Sequence, residues 1–290
     1  MRCGARASTR DFWTRRLPVP ELRLEGVVHV YRGGVRALDG VDLRIGVGER
    51  VAMVGQNGSG KSTLVRHLNG LLRPTAGRVV IDGTDVLRRH VAELAAIVGV
   101  VFQDPDRQIF AGSVIEECRF GPRNLGRSGG AVAESVAEAL ALTGLTGQEA
   151  RNPYDLGHSR RKLLALASVL AMRTPILVLD EPTTGQDRAG AERVRSIIDS
   201  VAAAGRTVIA VTHDMELAAE HFERVVVMRS GSVILDGPPG EVLDEAHREH
   251  LSSTNLEPPL AAQLATRLGV SGEVTESGLA AAIRSSAPSQ

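Results

Sequence analysis

The strongest chemical signal in the sequence is a glycine-rich loop between an apolar run and a helix-forming segment. The loop reads Gly55-Gln56-Asn57-Gly58-Ser59-Gly60-Lys61-Ser62-Thr63 and matches the Walker A pattern at every fixed position. Glycines let backbone N–H groups approach phosphates, and the N-terminus of the next helix adds its positive dipole end. Lys61 is predicted to reach the β- and γ-phosphates, and Ser62 to offer a hydroxyl to Mg²⁺. A surface turn is the alternative, which the strand–loop–helix order disfavours.

Two adjacent carboxylates, Asp180 and Glu181, follow a second apolar run, Ile176-Leu177-Val178-Leu179. Successive strand residues point to opposite sides, so Asp180 is expected to orient Mg²⁺ while Glu181 faces a water beside the γ-phosphate. Glu181 is the predicted general base. Acids at a strand end are often only a solvated terminus, but the phosphate loop upstream favours the catalytic interpretation.

His213 follows another apolar run, Thr207–Val211. Ligands of parallel sheets bind at the carboxyl ends of the strands, so His213 is expected to hydrogen-bond the γ-phosphate. The alternative is an incidental histidine after a strand. The other histidines, including His247 and His250, show no metal-ligand spacing and are interpreted as solvated.

Composition restricts the classes of partner and compartment. The 290 residues carry 34 basic and 34 acidic side chains, so no net charge favours a nucleic-acid or bulk anionic-membrane partner. Two cysteines, Cys3 and Cys118, are too few for a disulfide framework, which makes a reducing cytosol the expected compartment. No apolar run approaches the ~18 residues that a membrane-spanning helix needs.

The ends of the chain differ from its middle in composition. Residues 1–20 contain five arginines and lack the apolar core of a secretory signal, so they are predicted to be a disordered leader. Residues 241–290 are predicted to be a helical C-terminal extension that ends in a flexible tail, Ser285–Gln290. The intervening residues 21–240 are predicted to form the main domain.

The pattern of strands and helices predicts an α/β fold. Glu21–Tyr31 and Val41–Ile45 alternate apolar and polar residues around Gly33–Gly34, as an antiparallel pair does. A helix is predicted over Lys61–Leu72, and a mostly helical insertion over about residues 104–172. Alternating strands and helices then predict a mostly parallel sheet with helices on both faces. The predicted elements of this last part are Ile176–Leu179, Ala189–Ala204, Thr207–Val211, Met215–His221, Val225–Met228 and Ser232–Leu235.

Over about Leu22–Gly240 these motifs resemble the nucleotide-binding domains of ATP-binding-cassette (ABC) transporters. The resemblance implies a P-loop NTPase core with an antiparallel β subdomain and an inserted helical subdomain, which hydrolyses Mg-ATP to drive transport. It matches Tyr31 to the aromatic residue that stacks on adenine, although a half-buried strand tyrosine is the alternative. It also matches Gln103 to the Q-loop glutamine, which touches Mg²⁺ and the water, and Asp187 to the D-loop aspartate across the dimer.

A narrower resemblance, to the ATPase subunits of energy-coupling factor importers, is carried by Gln103–Phe110 and Phe120–Gly126. Such importers combine two ATPases with a transmembrane coupling protein and a membrane-embedded binder of vitamins, cobalt or nickel. The resemblance implies a peripheral position on the cytoplasmic face of the membrane, with the partner docked near Gln103–Phe110. The tail near Leu256–Ile283 is similar to their C-terminal dimerisation extension, with simple helix packing as the alternative.

One motif departs from the family. The signature Leu-Ser-Gly-Gly-Gln, which clamps the γ-phosphate on the opposite subunit, corresponds here to Leu156-Gly157-His158-Ser159-Arg160, where only the leucine is retained. The side chains of His158 and Ser159 are expected to obstruct close approach. We therefore expect a heterodimer with a paralogous ATPase that supplies an intact signature, with a poorly active homodimer as the alternative. The run Arg160-Arg161-Lys162 has two interpretations, a phosphate contact or the solvated start of a helix.

Two other functions compete with transport. A soluble ABC ATPase that acts on nucleic acid or ribosomes usually has two cassettes, coiled-coil insertions or basic extensions, and this sequence has none of them. A regulatory subunit that binds ATP without hydrolysis would explain the altered signature. Glu181 argues against that reading, because a subunit that does not hydrolyse ATP has no need of a general base.

Overall fold

The computed structural model describes residues 19–270 and 272–286. The predicted leader and the end of the predicted tail therefore lie almost wholly outside the described residues. The strands of the described part are β1 (Leu22–Val30), β2 (Arg36–Ile45), β3 (Arg50–Val54), β4 (Ala76–Ile81), β5 (Thr84–Asp85), β6 (Val98–Val101), β7 (Ile176–Asp180), β8 (Thr207–Val211), β9 (Arg224–Arg229) and β10 (Ser232–Gly237).

The helices of the described part are α1 (Lys61–Leu68), α2 (Val91–Ala95), α3 (Val114–Asn124), α4 (Gly129–Thr143), α5 (His158–Leu170), α6 (Arg188–Ala203), α7 (Met215–His221), α8 (Pro239–Val242), α9 (Arg248–Ser252), α10 (Leu260–Arg267) and α11 (Glu276–Ser286). Helix α1 stops short of the predicted Leu72, because Gly70 takes φ +73° and Pro74 follows. Among residues 19–270 and 272–286, no helix has both the length and the apolar character to span a bilayer.

The first sheet is antiparallel, in the order β2-β1-β4-β5. Alternation along β1 buries Leu22 and Leu24, and Leu22 pairs with Ile45 on one side and Ile81 on the other. The predicted antiparallel pair of strands is present, with its turn at Gly33–Gly34, but β2 begins at Arg36 and not at the predicted Val41. Irregular register along β1 lets the pairing continue as far as Arg36.

The second sheet has the order β10-β9-β3-β8-β7-β6, and its strands are parallel except for the antiparallel edge strand β10. Its central strands are nearly continuous apolar runs, as strands covered on both faces are. The predicted α/β fold with a mostly parallel sheet is confirmed. Because the parallel strands share one direction, the residues that follow β3, β6, β7 and β8 meet at one edge.

Two apolar cores cover the faces of this parallel sheet. Alternate residues of one strand enter different cores, so that Val51 and Met53 of β3 pack on one side and Ala52 and Val54 on the other. The first core includes Leu64 of α1 and the antiparallel sheet, and the second includes α5 and α6. The sheet edge is therefore held rigidly from both faces.

The predicted insertion near residues 104–172 is helical, with α3, α4 and α5 joined by loops and short 3-10 turns. The buried carboxylate of Glu117 on α3 accepts the N–H groups of Phe110 at 3.0 Å and Ala111 at 2.8 Å, which fixes the loop before the helix. Helix α5 packs against α3 and α4, and its first turn lies beside the loop that follows β7. The insertion therefore brings the signature segment next to Glu181.

Candidate nucleotide site

The phosphate loop joins β3 to α1 and is packed closely from behind. Gly55 and Gly60 have φ angles of +147° and +106°, which L side chains rarely adopt. A Cβ atom at Gly55 would overlap the carbonyl oxygen of Met228, and one at Gly60 would overlap that of Ala37. Gly58 faces open space. Backbone packing therefore requires glycine at two positions, while the other side of the loop stays accessible.

Lys61 is the first residue of α1, and its side chain folds back into the loop. Its Nζ donates to the carbonyl oxygens of Gly55 at 2.6 Å and Gln56 at 2.9 Å, and lies 3.2 Å from Oγ of Ser59. Burial lowers the pKa of the Lys61 ammonium group, whereas the carboxylates at the end of β7 act to raise it. A buried cation in an accessible glycine loop is suited to an anionic ligand.

Ser62 and Asp180 join α1 to the end of β7. The Ser62 side chain lies close enough to Asp180 to act on its carboxylate: burial raises the pKa of Asp180, and hydrogen bonding by Ser62 acts in the opposite direction. A hydroxyl and a carboxylate side by side are oxygen ligands of the type that Mg²⁺ prefers. The next residue, Thr63, has its Oγ1 3.0 Å from the hydroxyl of half-buried Tyr31, just past β1. Residues from three elements thus meet beside the loop.

Glu181 follows β7 instead of continuing it. Its φ of +49° departs from strand geometry, so the expectation that alternation separates Asp180 from Glu181 has the wrong physical basis. The turn brings Oε2 of Glu181 to 2.8 Å from Nδ1 of His213, and Thr184 Oγ1 donates to the same oxygen at 3.2 Å. The Glu181 side chain is only 10% exposed and that of His213 is 62% exposed. Both residues lie beyond the carboxyl ends of neighbouring parallel strands, β7 and β8.

Gln103 lies at the same edge, one residue beyond Phe102. Its strand β6 pairs with β7, where Val101 faces Leu179. The Gln103 side chain is exposed and has no hydrogen bond within the described residues, so it is near the site but outside the network that joins Ser62, Asp180, Glu181 and His213.

The altered signature segment is occupied by contacts within its own chain. Gly157 precedes α5, and Ser159 Oγ donates to Oε1 of Gln186 at 2.6 Å. The ring of His158 packs beside Gly185, close enough that a Cβ atom there would lie 3.2 Å from the ring. Both side chains therefore contact the loop that follows Glu181.

Two carboxylates in this region cap helices. Asp187 accepts the N–H of Gly190 at 2.7 Å at the start of α6, so at least one of its oxygens has a structural partner. Asp214 accepts the N–H of Leu217 at the start of α7, and Thr183 Oγ1 lies 3.1 Å from its other oxygen. These caps fix the loops after β7 and β8, and no motif in the sequence indicated Thr183.

Two histidines are buried, which contradicts the interpretation of all remaining histidines as solvated. His67 on α1 is fully buried, and its Nδ1 lies 2.7 Å from the carbonyl oxygen of Thr63. Its Nε2 lies 3.2 Å from Nδ1 of buried His29 on β1, whose ring stacks edge-on against Tyr31. The histidine pair therefore supports both partners of the Tyr31–Thr63 contact.

Lys162 is a buried neighbour of Glu181 that the sequence did not indicate. The solvated interpretation of Arg160-Arg161-Lys162 is wrong for this residue, because Lys162 is buried and its Nζ donates to the carbonyl oxygens of Glu181 and Thr184, each at 2.7 Å. The apolar run that follows it, Leu163-Leu164-Ala165, was the available signal of a buried helix face.

The sequence model of the ABC transporter family matches residues 38–184, which include the phosphate loop, the two carboxylates and α5. The chain belongs to the ABC transporter family. It is an ABC ATPase of the type that forms the ATP-binding subunits of such transporters, and the predicted family resemblance is confirmed.

Relatives of this ABC ATPase include named transporter subunits. EcfA of Methanothermobacter thermautotrophicus, an energy-coupling factor transporter ATP-binding protein, is 41% identical over 87% of this chain and 81% of its own length. CbiO of Rhodobacter capsulatus, a cobalt import ATP-binding protein, is 41% identical over 85% of this chain and 88% of its own. An ABC transporter ATP-binding protein of Methanosarcina acetivorans is 43% identical over 86% of this chain, which spans only 40% of that relative.

Solved structures of ABC proteins are also similar to this chain. CbiO1 from Clostridium perfringens, part of the ABC transporter complex CbiONQ, superposes with a TM-score of 0.70 at 35% identity, over 84% of this chain and 98% of its own. The ATP-binding cassette MJ0796, solved as a dimer in a post-hydrolysis state bound to ADP and phosphate, has a TM-score of 0.69 at 28% identity, over 75% of this chain and 98% of its own.

Proposed function

We propose that this ABC ATPase hydrolyses Mg-ATP on the cytoplasmic face of a membrane to power an energy-coupling factor importer of a vitamin or a transition-metal ion. The observation that carries the proposal is the convergence of four groups at one sheet edge: the Lys61 ammonium, the Ser62–Asp180 pair, the Glu181 carboxylate and the His213 ring. These groups come from different elements and suit phosphoryl chemistry together.

The residues present fit a nucleoside triphosphate and its metal ion. Buried Lys61 and the backbone N–H groups of Gly58 to Thr63 would hold the phosphates, and the Tyr31 ring would stack on the base. Ser62 and Asp180 supply hard oxygen ligands for Mg²⁺, with Gln103 as a further ligand. When bound, Mg²⁺ neutralises charge on the phosphate oxygens.

The chain's own residues divide the remaining tasks. Glu181 orients a water and accepts its proton, while its carboxylate is held by His213 at 2.8 Å and by Thr184 at 3.2 Å. His213 would reach the γ-phosphate through Nε2, and it donates there when both ring nitrogens carry hydrogens, since the N–H at Nδ1 is already directed at Glu181. Lys61 stabilises the charge that develops on the transferred group.

The altered signature supports an asymmetric dimer. In this proposal a paralogous ATPase clamps the ATP bound here with its own intact signature and D-loop, while His158 and Ser159 offer that partner a weaker clamp. Both side chains already contact Gly185 and Gln186 of their own chain, so they are not free to receive a phosphate without rearranging. In the same proposal Asp187 is the D-loop aspartate that would face the partner subunit.

An apolar groove supports a membrane partner near Gln103–Phe110. Phe110 and Phe120 are 59% and 47% exposed, and their rings pack edge-to-face with centroids 4.6 Å apart. They line a cavity of about 280 Å³ whose other walls include Leu71, Val91 and Met172. Exposed paired aromatics beside a groove are typical of a protein docking site, and here we assign it to a helix of the transmembrane coupling protein.

The C-terminal extension supports contact with the second ATPase. On α10, Ala261 and Ala265 are buried against Leu279 of α11, while Leu260, Leu264 and Leu268 form an exposed stripe at helical spacing. A stripe of this kind fits another helix of the dimer.

Co-purification tests this function. The tagged chain is expressed in its own host, membranes are solubilised gently, and the bound proteins are identified by mass spectrometry. We expect a second ATPase with an intact signature, a multi-helix coupling protein and a small membrane-embedded binder, whose identity then selects labelled cobalt, nickel or a vitamin for uptake assays. Recovery from the soluble fraction alone, or with ribosomes or DNA, would contradict transport.

A further inference from the structure

Lys162 occupies an unusual position for a lysine. It lies on the buried face of α5, between the signature segment and the apolar core of the insertion. Its Nζ donates to the carbonyl oxygens of Glu181 and Thr184, each at 2.7 Å. An ammonium group removed from water is stable only when its donors are satisfied, so these two hydrogen bonds fix the lysine and the loop together.

The loop that accepts hydrogen bonds from Lys162 contains a backbone conformation that is unfavourable for the residue that adopts it. Glu181 is not glycine, yet its φ is +49°, in the left-handed region that L residues seldom occupy. Such a conformation persists only where the surroundings impose it. Lys162 bridges the carbonyl of Glu181 to that of Thr184, and the Thr184 hydroxyl donates to the Glu181 carboxylate at 3.2 Å. The bridge and this hydrogen bond together close the turn around the side chain.

The same helix face contacts the loop at further points. His158 and Ser159 precede Lys162 by four and three residues, a spacing that puts all three on one side of α5. The His158 ring packs against Gly185, and Ser159 donates to Gln186 at 2.6 Å. The first turns of α5 therefore contact the Glu181 loop from its beginning to its end.

Electrostatics favour a cation at this position. Burial lowers the pKa of the Lys162 ammonium, while the negative charges of Glu181 and Asp180 act to raise it. The carboxylates of Glu181 and Asp180 therefore favour the charged form of the buried Lys162 side chain. A neutral side chain of the same length would keep the packing and lose this attraction.

We propose that Lys162 is a positioning residue for the hydrolysis reaction: it holds the Glu181 loop in its left-handed turn and couples the signature end of α5 to the orientation of the Glu181 carboxylate. This inference rests on the proposed role of Glu181 as general base. Lys162 acts on the carboxylate through the backbone of Glu181 and Thr184, whose carbonyl oxygens accept its hydrogen bonds. Movement of α5 when the partner subunit engages the signature segment is passed through Lys162 to the catalytic carboxylate.

The test compares Lys162→Met, which keeps the length and removes the ammonium, with Lys162→Arg, which keeps charge and N–H donors. Single-turnover hydrolysis of labelled ATP by the full chain gives the chemical rate, and equilibrium binding of a fluorescent ATP analogue gives nucleotide affinity. We expect Lys162→Met to lower the rate about 10- to 100-fold and to change affinity less than about threefold, because only the alignment of the base is lost. Lys162→Arg should recover a substantial part of the rate. Arg78→Met, which removes an exposed cation from the distant antiparallel sheet, should leave the rate unchanged.

Two further variants separate the possible failures. If Lys162→Met does not fold, as judged by thermal denaturation, Lys162→Gln replaces it, with the same expected separation of rate from affinity. Combining Lys162→Met with Glu181→Gln should add little to the loss from Glu181→Gln alone, because both changes affect one step. A folded Lys162 variant with a normal rate, or with rate and affinity lost together, would overturn this inference. If Glu181→Gln itself hydrolysed ATP normally, the proposed function would fail instead.

Discussion

Nδ1 of His213 lies 2.8 Å from Oε2 of Glu181, although the two residues follow different strands of the parallel sheet. The strands β7 and β8 are neighbours, and Asp180 pairs with Val211 at their carboxyl ends. Glu181 then turns with φ +49° and its N–H donates to the Val211 carbonyl, which brings its side chain across to His213, two residues after the end of β8. Sheet topology and one left-handed residue together create the contact.

Replacing Glu181 with glutamine should stop hydrolysis while preserving ATP binding. The amide keeps the shape of the side chain but cannot accept a proton from water, so the rate should fall by about 10²- to 10⁴-fold. Single-turnover hydrolysis and equilibrium nucleotide binding measure the two effects separately. The matched control is Glu223→Gln, an exposed carboxylate beside Arg50, which should have the wild-type rate. A Glu181→Gln variant that turns over normally would exclude Glu181 as the base.

Much of this site follows from the sequence, because the phosphate loop, Asp180, Glu181 and His213 are each marked by an adjacent apolar strand. Parallel strands that carry such residues at their carboxyl ends bring them to one edge, whatever the details of packing. The turn at Glu181 is different. It depends on Lys162, which lies 19 and 22 residues away from its two carbonyl acceptors.

The burial of His29 and His67 was not predicted from the sequence, for a related reason. His29 and His67 lie 38 residues apart, and nothing in their local sequence indicates that β1 and α1 will press their rings together. A lysine within a basic run and a histidine near a helix end have ordinary solvated interpretations. Only the packing of α5 on the Glu181 loop, and of α1 on β1, buries them.

The histidine pair should make folding stability depend on pH. Thr63 O is an acceptor, so Nδ1 of His67 carries the hydrogen and Nε2 is left to accept the Nδ1–H of His29, which also faces the carbonyl oxygen of Arg73. Burial, with a smaller contribution from His29, lowers the pKa of His67, while its hydrogen bond to Thr63 acts to raise it. The folded chain therefore binds a proton at His67 only at a lower pH than the unfolded chain does.

Stability should consequently fall as the pH drops below about 6.5, where the unfolded chain binds a proton at this position before the folded chain does. His67→Gln should flatten this dependence by up to about 1.4 kcal/mol per pH unit. Urea denaturation between pH 8 and pH 5, at roughly unit intervals, measures the slope. His250→Gln, at an exposed position, should retain the wild-type slope. An unchanged slope in His67→Gln would mean that another group is responsible.

Exposed aromatic side chains should control docking to the membrane partner. The double change Phe110→Ser and Phe120→Ser should weaken association by roughly 10- to 150-fold for each phenylalanine that the partner buries, from about 1.5–3 kcal/mol of apolar burial per ring. Nucleotide binding should be unaffected, because neither ring belongs to the phosphate-loop network. Co-purification from solubilised membranes measures the loss. Val35→Ser, at an exposed turn of the other sheet, should co-purify normally, and equal recovery of the double variant would remove the groove from the interface.

Rebuilding the family signature should activate the homodimer. The combined changes Gly157→Ser, His158→Gly, Ser159→Gly and Arg160→Gln restore the motif that clamps the nucleotide of the opposite subunit. One hydrogen bond to a charged phosphate is worth about 1.5–3 kcal/mol, so turnover should rise roughly 10- to 150-fold if the interaction belongs to the transition state.

The rebuilt chain also loses the hydrogen bond from Ser159 to Gln186, which loosens the Glu181 loop and lowers turnover. We expect the gain in turnover from the restored signature to exceed this loss. Steady-state ATPase activity of the purified homodimer is the measurement, with thermal denaturation and nucleotide affinity as controls. The double change His158→Ala and Ser159→Ala separates the two effects, because it removes both loop contacts without restoring the residues of the signature. If the rebuilt homodimer folds and binds ATP normally but shows no gain in turnover, the altered signature is not what limits it, and the expectation of an asymmetric dimer loses its basis.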